Sequence, residues 1–162
     1  MPTGIEDVAF PPLFDKEAEE SLCGGVLIRA SEDGQIPEEL KKYNLKPKDF
    51  FIIRNQWVWD AMLELDVQKK LDILTVWDML WVKHSKKDCR EFGGPARLTT
   101  LLVRCDNSYD IERDAELIKE LSERRFALRI ANRLAQVIYT LNEPFDLNNI
   151  IAKLYTSRIK LE

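Results

Sequence analysis

Between Asp110 and Leu141 the chain contains neither glycine nor proline, and its apolar residues fall at helical spacing. Ile111, Ala115, Ile118 and Leu121 recur by three or four, and Leu128, Ala131, Leu134, Ala135, Ile138 and Leu141 continue the stripe with one drift in phase. The pattern predicts one long helix. At 1.5 Å per residue it would run to roughly 48 Å, longer than a head of about 107 residues is wide. Part of the stripe is therefore expected to find cover outside its own body. Asp110, Glu112, Asp114 and Glu116 lie in the first turns and Arg124, Arg125, Arg129 and Arg133 in the second half. That order complements the helix dipole, and it is self-complementary when two copies lie antiparallel, as in a two-fold dimer. Arg125 falls on the apolar seam, where a guanidinium needs a carboxylate or carbonyl partner.

The remaining elements also read as helices. Pro2, Gly4, Pro11 and Pro12 mark residues 1–10 as an arm leading to a head over 11–106. Asp15 is placed to cap a helix from Lys16 to Ile28 with Ala18, Leu22, Gly25 and Val26 on one face. Gly24 and Gly25 inside it suggest close approach of another helix. Glu17, Glu19 and Glu20 read as solvated helix charge. A loop over 29–35 is followed by a short helix from Pro37 to Tyr43. Pro47 opens an aromatic-rich helix with Phe50, Ile53, Trp57, Ala61, Met62 and Leu65 inward. Asp72 caps Ile73 to Val82, with Val76 and Leu80 inward and Trp77 and Trp81 sharing a face. His84 to Phe92 reads as a charged loop, and Gly93, Gly94 and Pro95 as a turn feeding a helix to Val103. After a turn at Asn142, Glu143 and Pro144, Asp146 caps a last helix whose Leu147, Ile150, Ile151 and Leu154 repeat at helical spacing. A long helix and a shorter returning one make an αα-hairpin over 107–162. No segment sustains strand alternation, so the expected class is all-α, a helical bundle head followed by that hairpin.

Composition narrows the chemistry. The chain is 45% hydrophobic and 32% charged, with a formal net charge of −4, which argues against strong nucleic-acid binding in bulk. Cys23, Cys89 and Cys105 form no recognisable pairing, and no apolar run is long enough for a membrane span; a cytoplasmic protein is expected. One histidine, His84, with Cys89 nearby, falls short of a zinc site, and no phosphate loop or dinucleotide fingerprint is present. No cofactor, metal or catalytic residue is expected.

Several of these signals, in order, resemble the N-terminal domain of DnaB-type replicative helicases. Pro11 and Pro12 precede Glu17, Ala18, Glu19, Glu20, Ser21 and Leu22, then Gly24, Val26 and Leu27. Leu45, Pro47, Asp49 and Phe50 match a Leu-x-Pro-x-Asp-Phe helix start, and Asp72, Ile73, Leu74, Thr75 and Val76 an Asp-aliphatic-aliphatic-Thr-Val start. Gly93 and Gly94 supply the double-glycine turn, and Ala115, Ile118, Lys119, Glu120 and Arg125 match the hairpin helix. The chain departs from the pattern in a longer loop over 29–44, in Asn55 and Gln56 where His-Arg is common, and in Arg97 and Asp114 at aromatic positions.

The resemblance implies an oligomerisation and primase-binding module of DNA replication. Hairpins of neighbouring subunits would pair, the pairs would build a trimer-of-dimers collar, and primase would dock on it. It implies no ATPase activity for these residues. The expected oligomer interface is Ile111, Ala115, Ile118, Leu121, Arg125, Leu128, Ile150 and Leu154, with Leu117, Arg129 and Arg133 as candidate partner contacts. The expected partners are a second copy of the chain and primase or a replicative helicase. Two alternatives stand beside it. One is a primase C-terminal helicase-binding domain, which shares the head-plus-hairpin architecture. The other is a small nucleic-acid-binding module using the ridge Arg125, Arg129 and Arg133.

Overall fold

A computed structural model describes residues 11–105, 110–139 and 146–159, with the side chains of 153–155 and 157–159 left aside. The expected arm over 1–10, residues 106–109 and the expected turn at 142–144 lie outside the described residues. Eight α-helices and no strand are found among the described residues: α1 Lys16–Ala30, α2 Glu38–Lys41, α3 Ile53–Gln68, α4 Ile73–Lys83, α5 Lys86–Phe92, α6 Gly94–Arg104, α7 Ile111–Tyr139 and α8 Leu147–Ile159. The all-α class holds. The chain forms two compact units, Met1–Ser122 and Glu123–Glu162, so the division falls inside α7.

Local chemistry sets most helix starts. Asp15 accepts from the Ala18 amide at 2.9 Å, and Asp72 accepts from Leu74 and Thr75 at 2.7 and 2.9 Å. Asp146 accepts from the Asn149 amide at 3.1 Å, as a cap for α8 should. The stretch read as a charged loop is instead the helix α5. Ser85 and Asp88 form a reciprocal capping box: each side chain satisfies the other's backbone N–H.

In the first unit α1 packs most extensively on α6, and α3 on α4. Gly24 is the point of closest approach: a Cβ there would lie 2.1 Å from the Leu101 carbonyl oxygen. Leu22, Val26, Val58, Met62, Val76, Leu98 and Leu101 fill the core, which Trp59 caps by donating its indole N–H to the Leu45 carbonyl at 3.0 Å.

The aromatic-rich helix starts later than its spacing predicts. Pro47–Asp49 is a single 3-10 turn, Phe50 is buried where the chain breaks, and α3 begins at Ile53. Val58 and Trp59 face inward with Ala61, Met62 and Leu65, whereas Ile53 is 61% exposed. The cause is a buried carboxylate. Glu19 accepts from the Phe51 amide at 2.6 Å, the Ile52 amide at 3.2 Å and Asn55 Nδ2 at 3.0 Å, which fixes where α3 begins.

Candidate assembly surface

The long helix leads two lives. Ile111, Ala115 and Ile118 are buried in the hydrophobic core of the first unit, with Leu117 partly buried against it. These three expected interface residues are therefore corrected: periodicity identified one face of α7, but that face is covered by the chain's own helices. Burying each aliphatic side chain contributes roughly 1.5–3 kcal/mol to the fold, so none is available to a neighbour without unfolding the unit.

Polar contacts fix the same segment. Asp49 is buried and accepts from Ser122 Oγ at 2.7 Å and Lys119 Nζ at 3.2 Å, while its other contact closes on the Lys46 amide at 2.8 Å. Lys42 reaches Glu112 at 2.5 Å. Ser122 is the last residue of the first unit, so the Asp49 clasp marks where α7 stops belonging to it.

Two carboxylates of α1 read as solvated charge belong to the same framework. Glu19 and Glu20 are each 1% exposed. Glu20 receives Arg97 Nη2 at 2.7 Å and also pairs with Arg104. Burial pushes its carboxyl up, but the hydrogen bonds and charges of Arg104 and Arg97 outweigh this and hold it below its ordinary range. Asp114 goes the other way: half-burial raises its pKa, with the charges of Asp110 and Asp15 adding to the rise against a hydrogen bond with Ser21. A charged residue on an otherwise apolar face was the available signal for these pairs. Glu19 lies on the same side of α1 as Val26, and Glu20 on the same side as Leu27, each seven residues on and buried.

Beyond Ser122 the helix has a different character. Arg125 is half-buried, as is Leu121 just before that point, and Leu128 is 51% exposed. Ile138 and Tyr139 near the end of α7, and Leu147 and Ile151 on α8, are also exposed. Ile150 is half-buried, and the Leu154 side chain lies outside the described residues. Arg129 sits over the Phe126 ring at 5.8 Å, and Arg133 is exposed.

Among the described residues no group of three metal-ligating side chains occurs. His84 ends α4 and stacks on Trp57 with ring centroids 4.2 Å apart, while Cys89 is buried on α5 with its thiol directed at the Leu80 carbonyl. No helix among the described residues is long and apolar enough to cross a membrane.

The first unit is thus a helical body that buries the base of α7, and apolar and basic side chains are exposed further along the same helix. The crystal structure of the N-terminal domain of DnaB helicase from Mycobacterium tuberculosis has the same fold, with a TM-score of 0.73 and 24% identity over 90% of this chain and 97% of that one. The profile of the DnaB-like helicase N terminal domain matches residues 11–120, and the chain belongs to that family. It is 30% identical over 125 residues to the replicative DNA helicase DnaC of Bacillus subtilis, and 29% identical over 124 residues to the replicative DNA helicase DnaB of Nostoc sp.. Each alignment covers 76% of this chain but only 26% and 13% of those proteins, so the similarity is to a small part of each.

Proposed function

We propose that this chain is the assembly and partner-docking module of a replicative helicase, or of a relative that co-assembles with one. The observation that carries the reading is the row of bare apolar side chains in the second unit: Leu128, Ile138, Leu147 and Ile151 are each 44–51% exposed. Isolated exposed apolar residues are common, but four on the two helices of a unit of about forty residues leave apolar area that association would cover. Leu128 is the central contact, Leu121 and Ile150 extend it, and Arg125 supplies a polar clasp at its edge. The neighbour is a second copy, related by a two-fold axis. The pair in turn offers a surface to primase.

Sedimentation at tens of micromolar tests self-association, with a dimer or larger species expected. Leu128→Asp places a charge in the contact and should weaken association at least about tenfold. A monomer at these concentrations, or an unaltered assembly in the variant, removes the reading. Capture of an isolated primase C-terminal domain by the wild-type chain tests the docking role separately.

A further inference from the structure

In the first unit the exposed apolar residues Ile28, Phe51 and Val103 lie singly, and Ile53 and Val67 lie at opposite ends of α3. Such scattered exposure is ordinary. On α4 it is concentrated: Leu74, Trp81 and Val82 are 73%, 49% and 81% exposed. With 3.6 residues per turn they stand within an arc of about 100°, opposite the buried Val76 and Leu80. Trp77 and Trp81, paired by their spacing, have different surroundings. Trp77 is partly buried against the core with its ring 6.4 Å from that of buried Phe92, and Trp81 stands 5.9 Å further out. Three rings thus run from the core to the surface, and the outermost is braced from beneath.

We propose that this outer face of α4 docks an amphipathic helix of another protein, one that carries carboxylates at both ends and a cation near its middle. The inference does not rest on the assembly reading above, because every residue it uses belongs to the first unit.

The charges around the face specify that partner. Lys69 and Lys70 precede α4, and Lys86 and Arg90 follow it on α5; all four are exposed, and among the described residues none is in an ion pair. The carboxylates nearest them in sequence are engaged in capping: Asp72 accepts from the Leu74 and Thr75 amides, and Asp88 from Ser85. Between the two cationic ends Asp78 is exposed, within the arc of Leu74, Trp81 and Val82. Along the helix the order is therefore cation, anion, cation, over a rise of about 16 Å that a partner of three to four turns would span. Trp81 is suited to be the central anchor, since a large ring already held by Trp77 loses little freedom on binding. Single-stranded nucleic acid fits the face less well. Its phosphates would have to pass Asp78, and successive bases need successive rings, whereas Leu74 and Val82 offer none.

The probe is a labelled helical peptide of about four turns, with paired glutamates at each end, leucines at helical spacing between them and one central lysine, titrated with the full chain and followed by anisotropy. It should bind at least about tenfold tighter than the same peptide with lysines at its ends. Trp81→Ala and Leu74→Glu should each weaken binding at least about tenfold, while Val103→Asp, at an exposed apolar position of α6, should bind as the wild type does. K70E/K86E/R90E, all at exposed positions, should prefer the lysine-ended peptide, and D78K the peptide whose central lysine is replaced by glutamate. A reversed preference cannot result from misfolding. The proposal is overturned if the wild type shows no preference between the end charges, if Trp81→Ala binds as tightly as the wild type, or if the charge-reversed variants keep the wild-type preference. It is also overturned if an oligo-dT strand binds through Trp81 and the peptide does not, or if Trp81→Ala abolishes self-association in sedimentation, since a second copy would then be the occupant. Leu128→Asp should bind the peptide as the wild type does, so this inference and the assembly reading can fail separately.

Discussion

Gly24→Ala should destabilise the first unit, although alanine is the better helix former. Inside α1 the substitution gains about 1 kcal/mol of helix propensity. Against that, the new methyl would lie 2.1 Å from the Leu101 carbonyl oxygen, 2.8 Å from its carbon and 3.1 Å from Cys105 Cβ. Two of the three obstacles are backbone atoms of α6, which cannot rotate away as the end of a side chain can. Relief requires α1 and α6 to separate by about an ångström along the most extensive helix contact of the unit. Overpacking costs about 1–3 kcal/mol in cores that can adjust, and a backbone clash lies at or beyond the upper end. The net loss should be about 2 kcal/mol, or roughly 4–8 °C in Tm for a chain of this length. Urea unfolding followed by circular dichroism measures it, with the slope compared to confirm that the unfolded state is unchanged. A midpoint equal to or above the wild type would refute the close approach as the reason for glycine here.

Four further outcomes are expected. Glu20→Gln should reduce stability at neutral pH; because the folded carboxyl lies below its ordinary 4.5, its contribution is complete above that value and lost as the pH falls through the folded one, so the gap between variant and wild type should shrink in acid. Asp114→Asn should do the reverse: the folded pKa lies above the ordinary 3.8, so the ionised carboxylate destabilises at neutral pH, and the variant's higher Tm there should converge on the wild type as acid protonates Asp114. Ser85→Ala should cost about 1 kcal/mol by opening the α5 capping box, seen as faster amide exchange over 86–89 than in the wild type. A thiol reagent should leave Cys23 and Cys89 unmodified until urea is added; both are buried, and burial pushes the Cys23 thiol far above its ordinary range, so three rapidly reacting thiols in the native protein would contradict the packing of α1 and α5.

Much of the helical order was legible from local chemistry. Asp15, Asp72 and Asp146 cap the helices their positions suggest, and Gly24 in α1 signalled a close neighbour. What was not legible depends on residues distant in sequence. The start of α3 is set by Glu19, more than thirty positions earlier, and a period count within α3 contains no trace of it. The interface reading of Ile111, Ala115 and Ile118 failed for a related reason. Apolar spacing reports that a face is covered, and the same pattern results whether the cover is the chain's own core or another molecule. Only α5 was missed despite a local signal, the Ser85 and Asp88 spacing, because the run of charge between them suggested a loop.

Three of the positions at which the chain departs from the pattern it resembles, Asn55, Arg97 and Asp114, meet one short stretch of α1. Asn55, where a histidine is common, donates to Glu19; Arg97, at an aromatic position, pairs with Glu20; Asp114, at another, bonds to Ser21. The Glu-Glu-Ser run matches the family while the residues opposite it do not, so the departures act together as a polar network in place of packed rings. Three buried or half-buried side chains of α1 thereby hold α3, α6 and the base of α7 through charge and hydrogen bonds. Such a network is strong only while every member is satisfied, and Asn55 Oδ1 and Arg97 Nε have no hydrogen-bond partner. Leu128, the central residue proposed for assembly, lies beyond that base on the same helix. Double-mutant cycles should accordingly couple Asn55 to Glu19 and Arg97 to Glu20 in unfolding. Leu128 should be additive with all of them in stability, and its substitution should appear only in the concentration dependence of association.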